Sequence, residues 1–83
     1  MAVRVYILIE TEMGKCKGAA EALEALGKIN GCRIAVDTVT GPYDIIAEAE
    51  SENLGSLDTF INDIGKRIDG LVHTTTCICM GFG

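Results

Sequence analysis

Tryptophan is absent from this 83-residue sequence, which also has only one proline and one histidine. It lacks any block of basic residues. Seven Lys and Arg face twelve Asp and Glu, the net charge is −5, and the longest basic run is the pair Lys66-Arg67. That balance opposes the counterion-release attraction that dominates nucleic-acid affinity, so direct nucleic-acid binding is not expected. Long apolar runs are missing too. The N-terminal apolar stretch is bracketed by Arg4 and Glu10, with no small-residue cleavage site after it, so it reads as neither a signal peptide nor a membrane span. The lone histidine, His73, has no Ser or Cys placed beside it by a nucleophile–base motif and is assigned no catalytic role. Gly14-Lys15 lacks the upstream Gly and the Ser or Thr of a phosphate loop.

Four cysteines are present, Cys16, Cys32, Cys77 and Cys79. Without a secretory signal they are expected as reduced thiols in a cytoplasmic protein, packed as small hydrophobes. Cys77 and Cys79 fall on one face of a strand, and with Cys16 they are the one thiolate set worth weighing. No Cys-x-x-Cys accompanies them, so no metal and no cofactor is expected. Hydrophobic residues make up 48% of the chain and charged ones 23%, the balance of a folded domain. A domain of this size buries only ~60% of the surface its unfolded chain exposes, so further burial through self-association is expected.

Val3, Val5, Ile7 and Ile9 alternate at period two, with Tyr6 and Leu8 apolar on the opposite face, which predicts a first strand covered on both sides. Residues 11–18 read as a loop, and from Ala19 the spacing of Ala22, Leu23, Leu26 and Ile29 predicts a helix ending at Asn30-Gly31. Residues 32–39 and 43–50 alternate around a Thr40-Gly41-Pro42 turn and predict a hairpin. Leu54, Leu57, Ile61, Ile64 and Ile68 predict a second helix within 51–68, capped by Ser51 or Asn53. A last strand is expected over 71–80, before a Gly-Phe-Gly tail. The βαββαβ order implies an α+β, ferredoxin-like fold, a four-stranded antiparallel sheet with both helices on one face. Its other face would lie bare in a monomer, which predicts a second copy packed sheet on sheet, at least a dimer.

Thr40-Gly41-Pro42-Tyr43-Asp44, followed by Ile45-Ile46-Ala47, resembles the Gly-x-Tyr-Asp turn of the effector-binding (RAM) domain of Lrp/AsnC transcriptional regulators. "VYILIETEMGK" resembles that family's first strand and loop, and the run from Gly70 through His73 to Thr74 and Thr76 resembles its last strand, so the likeness covers nearly the whole chain. The resemblance implies a single domain over 1–83 in a dimeric α/β-barrel type assembly, without the regulators' helix-turn-helix domain. It also implies an amino-acid effector held between subunits in a ring of dimers by Gly41, Pro42, Tyr43, Asp44, Thr74 and Thr76.

The residue types suit such a role. Gly41 allows close backbone approach, Pro42 stiffens the turn, and Asp44 is suited to an α-ammonium. Thr74 and Thr76 present two hydroxyls from one strand face. The expected function is non-enzymatic sensing linked to regulation of transcription or amino-acid metabolism, with full-length Lrp/AsnC regulators as a second class of partner. The alternatives are an ACT-type amino-acid-binding domain, which Gly14 in the first loop would suit, and a small dimeric α/β-barrel enzyme, for which His73, Tyr6 and Tyr43 are the only loose candidates.

Overall fold

Val5, Ile7 and Ile9, alternating along β1 (Val3–Thr11), are at most 1% exposed and mark the face of the sheet that the helices cover. The computed structural model describes residues 2–80, so the Gly-Phe-Gly tail lies outside the described residues. β1 is followed by α1 (Cys16–Ile29), β2 (Arg33–Thr38), β3 (Ile45–Ser51), α2 (Leu54–Arg67) and β4 (Leu71–Ile78). All strand pairs are antiparallel, and the sheet order is β2-β3-β1-β4. This is the ferredoxin-like arrangement expected from the sequence.

Each helix buries most of the stripe its periodicity marks, Ala19, Leu23, Leu26 and Gly27 in α1 and Leu57, Phe60 and Ile64 in α2, but Ile29 in the last turn of α1 and Leu54 in the first turn of α2, both expected on those stripes, are exposed. They close over Val5, Ile7, Ile9, Ile45, Ala47 and Ala49 to form one core. α1 lies close on β2, because a Cβ at Gly27 would stand 2.9 Å from Ile34 Cδ1. Glycine is the residue that permits that approach.

Several boundaries differ from the sequence expectation. α1 begins at Cys16, inside the span read as a loop, because Cys16 is only half-buried, Lys17 and Gly18 are exposed, and the fully buried pattern starts at Ala19. Ser51 belongs to β3, opposite Val3, and its hydroxyl accepts from the Asn53 N–H. Asn53 is the cap of α2, its side chain accepting from the Ser56 N–H. β4 stops at Ile78, although the Cys79 N–H still donates to the Arg4 carbonyl at 2.8 Å.

The bare face is less apolar than expected. Tyr6, Leu8 and Ile46 form a half-buried apolar centre, flanked by Glu48 and Asp37 in the same rows and by an ion pair between Arg33 and Glu50. β4 is an edge strand, paired on one side only.

Gly70, at φ +84°, lies in the turn between α2 and β4, and a Cβ there would stand 2.5 Å from Lys15 Cβ. Gly70→Ala therefore combines left-handed strain with overlap and is expected to cost about 1–3 kcal/mol. The check is thermal melting, at ~4–8 °C lost per kcal/mol for a domain this small.

Candidate ligand-binding site

Between Thr38 and Ile45, the last pair of the β2–β3 hairpin, residues 39–44 leave the sheet. Gly41 takes φ +117°, a conformation that side chains rarely adopt, and with Pro42 it forms the exposed tip. Tyr43 and Asp44 are half-buried.

Asp44 does more than close the turn. Its N–H donates to the Ile9 carbonyl at 2.8 Å, one residue out of step with the β3–β1 register that pairs Ile9 with Ile45, and its carbonyl accepts from the Val39 N–H at 2.9 Å, in step with the β2–β3 register. The Cys16 thiol also donates to that carbonyl, at 3.7 Å. Oδ2 accepts from the Thr11 N–H at 2.8 Å and from the Thr11 hydroxyl at 3.3 Å. The carboxylate takes the place that a main-chain carbonyl would hold on the next rung, which lets the backbone at Tyr43 peel away from β1. Oδ1 accepts no hydrogen bond among the described residues.

Thr74 and Thr76 sit across β1 from the turn, Thr74 opposite Ile9 and Thr76 opposite Ile7. They share a face, as the spacing predicts. It is the helix-side face, yet both are exposed, because neither helix packs over β4. Neither makes a side-chain hydrogen bond among the described residues. Asp44 and Thr74 thus flank Ile9 from opposite sides of β1, and Gly41 and Pro42 lie farther out at the tip.

None of three surface cavities of about 330–400 Å³ includes these residues. One lies between α2 and the ends of β1 and β4, lined by Val3, Leu57 and Ile78; one lies at the start of α1, by Gly14, Lys15 and Arg67; one lies on the outer face of α1. Among the described residues, the candidate residues thus lie outside these three cavities.

Thr11 was not among the residues singled out from the sequence. Nothing local marks it, since its partner lies 33 positions away and only the β3–β1 pairing brings the two together.

The remaining candidates are dispersed. His73 pairs with Glu10 and Tyr6 with Cys77, so four residues of β4, ~13 Å, separate their rows, and Tyr43 lies in the turn. Cys16 sits by Asp44, away from Cys77, which is on the open face, and Cys79, whose sulfur accepts from Arg4 Nη2 at 3.3 Å. No cluster of three or more metal-ligating side chains occurs among the described residues. The expectation that the thiols pack as buried hydrophobes holds for Cys32 only, since Cys77 is exposed on an edge strand and Cys16 and Cys79 are half-buried. No described helix is long and apolar enough to cross a membrane.

The family model described as "Lrp/AsnC ligand binding domain" matches residues 4–81. Two solved structures are 29% identical to the chain, each over 94% of it. They are hypothetical protein PHS023 from Pyrococcus horikoshii, of which 89% is covered with a TM-score of 0.77, and FFRP-DM1, of which 99% is covered with a TM-score of 0.71. Transcriptional regulator NMB0573 from Neisseria meningitidis, solved as an L-Met complex, shares the fold at 15% identity and a TM-score of 0.66, over 96% of this chain and 51% of that one. No curated protein matches the sequence.

On the open face, the carboxylate of Glu48, which pairs with Tyr6 across β1 and β3, holds the Tyr6 phenol above its ordinary value of 10.0, against the opposing pull of Arg4. Glu48→Gln, in a Tyr43→Phe background, is expected to lower the Tyr6 phenolate midpoint, followed by ultraviolet difference absorbance. An unmoved midpoint would remove Glu48 as the cause.

Proposed function

The chain belongs to the Lrp/AsnC ligand binding domain family, and from that membership we propose that it is a non-enzymatic sensor that binds an amino acid or related small metabolite between subunits. Residues 1–83 act in this reading as one ligand-binding unit, in the cytoplasm, with regulation of transcription or amino-acid metabolism as the output. Family membership displaces the ACT alternative. The dispersal of His73, Tyr6 and Tyr43 leaves the enzyme alternative without a catalytic group.

One observation carries the interface reading: Asp44, Thr74 and Thr76 flank one strand, yet no cavity described above encloses them. Thr74 and Thr76 lie exposed without side-chain partners among the described residues, so a second subunit is needed to make walls around them. The open sheet face, with Tyr6, Leu8 and Ile46 at its centre, is the surface for the first partner, a second copy packed face to face. Ring closure by further dimers then completes the pocket. A ligand that fits only the completed pocket stabilises the assembly that completes it, which couples binding to oligomer size. The L-Met complex of the regulator of the same fold supports an amino acid as the ligand class.

A thermal-shift screen of the twenty amino acids tests the reading. At a ligand concentration of about 100 Kd the stabilisation is ~2.7 kcal/mol, a shift of several degrees. The double variant Thr74→Val/Thr76→Val is expected to abolish the shift while leaving the ligand-free melting temperature near wild type, because neither hydroxyl is used within the protomer. Asp44→Ala is expected to abolish the shift and lower the ligand-free melting temperature as well, through loss of Thr11. No stabilisation by any amino acid would sink amino-acid sensing.

A further inference from the structure

Every polar group of Asp44 except Oδ1 is engaged, and three of its contacts reach elements other than its own hairpin: Ile9 and Thr11 on β1, and Cys16 at the start of α1. A residue that served only the turn would bond its own backbone. What lies beyond Thr11 gives the contact its reach. Between Glu10 and Thr11 the β1–β4 register shifts, with Glu10 opposite His73 and Thr11 opposite Leu71. Val72 is left as the extra residue of a bulge. On the next residue the Glu12 N–H donates to the Gly70 carbonyl at 2.8 Å. Consecutive amides of one dipeptide are therefore held from opposite sides, Thr11 by the carboxylate of the turn and Glu12 by Gly70, the residue just before β4.

We propose that Asp44 is a positioning residue that couples the turn at residues 39–44 to the start of β4 through Thr11, Glu12 and Gly70, with the Thr11 hydroxyl orienting its carboxylate. The turn cannot move relative to β1 without releasing the Thr11 amide. Release of that amide loosens the Glu12–Gly70 bond, which sets where β4 begins and hence how Thr74 and Thr76 stand against the turn. The two walls of the site are in this way held at a fixed spacing across β1, and a ligand that draws on the Asp44 carboxylate acts on both. The meaning of this coupling for ligand sensing rests on the reading of the turn as an effector wall; the coupling itself does not.

Amide hydrogen exchange of the ligand-free protein, followed residue by residue by NMR, tests the coupling. Asp44→Ala is expected to speed exchange at the Thr11 amide about tenfold or more, the loss of a bond to a charged acceptor, and to speed exchange at Glu12 severalfold. The Ile7 amide, at the centre of β1, is expected to change least. Asp44→Asn keeps a side-chain oxygen for the Thr11 amide and restores protection at both positions. Should Asp44→Ala fail to fold, Thr11→Val loosens the carboxylate without removing the amide bond and is expected to speed exchange at Glu12, with Thr11→Ser restoring it. Glu12 exchange indifferent to these substitutions would overturn the proposal, as would a Thr11 amide exchanging in the wild type as fast as an exposed one. Because no ligand is present, a blank amino-acid screen and a failed exchange result are separate outcomes and count against different statements.

Discussion

β1 is hydrogen-bonded on both sides, against β3 from Val3 to Ile9 and against β4 from Val5 to Thr11, while its inner residues Val5, Ile7 and Ile9 are sealed under the helices. A slip of one residue would turn that apolar set outward, so the register cannot drift. The rest of the molecule takes its position from this strand. The turn is attached to its end through Asp44, Gly70 just before β4 is held by the amide that follows Thr11, and the two threonines of β4 face residues 7 and 9. A single rigid strand thus brings together residues more than 30 positions apart.

Two surfaces are left uncovered by this arrangement, and they differ in character. The open sheet face has a small apolar centre within a rim of charge, including Arg33 paired with Glu50 and Arg4 beside Tyr6. Such a face suits a register-specific partner, because apolar contact supplies affinity and the charges penalise wrong alignments. The helix-side surface of β4 presents the hydroxyls of Thr74 and Thr76 beside the exposed apolar Ile78. A strand bare on both faces is poorly buried for its backbone, and assembly supplies the missing cover. Ligand sensing and oligomerisation then share one physical cause, incomplete burial in the protomer.

Periodicity made most of the architecture legible. Val5, Ile7 and Ile9 alternate, Leu57, Phe60 and Ile64 recur at helical spacing, and both fell where the core is. The first turn of α1 was not legible, since only Cys16 in it is partly buried and it contains Gly18, a poor helix former that tertiary packing tolerates. Thiol burial was misread for a related reason. Cys77 has the composition of a core residue, but its exposure is decided by its place on an edge strand, which is a property of sheet order. The residues of the turn and of β4 were legible through family likeness. Their physical roles were not, because the partner of Asp44 is Thr11 and no local pattern connects them.

Composition and periodicity by themselves determined that this chain is an acidic, two-layer βαββαβ domain with one helix-covered sheet face and one without cover. These are properties of residue type and spacing along the chain. The tertiary structure alone decided which face Thr74 and Thr76 occupy, that Asp44 spends one carboxylate oxygen on Thr11, and that the candidate residues lie outside the three cavities described above. Each of those depends on which strands become neighbours and in what register, and strand pairing is settled by the packing of the whole domain rather than by any segment of it.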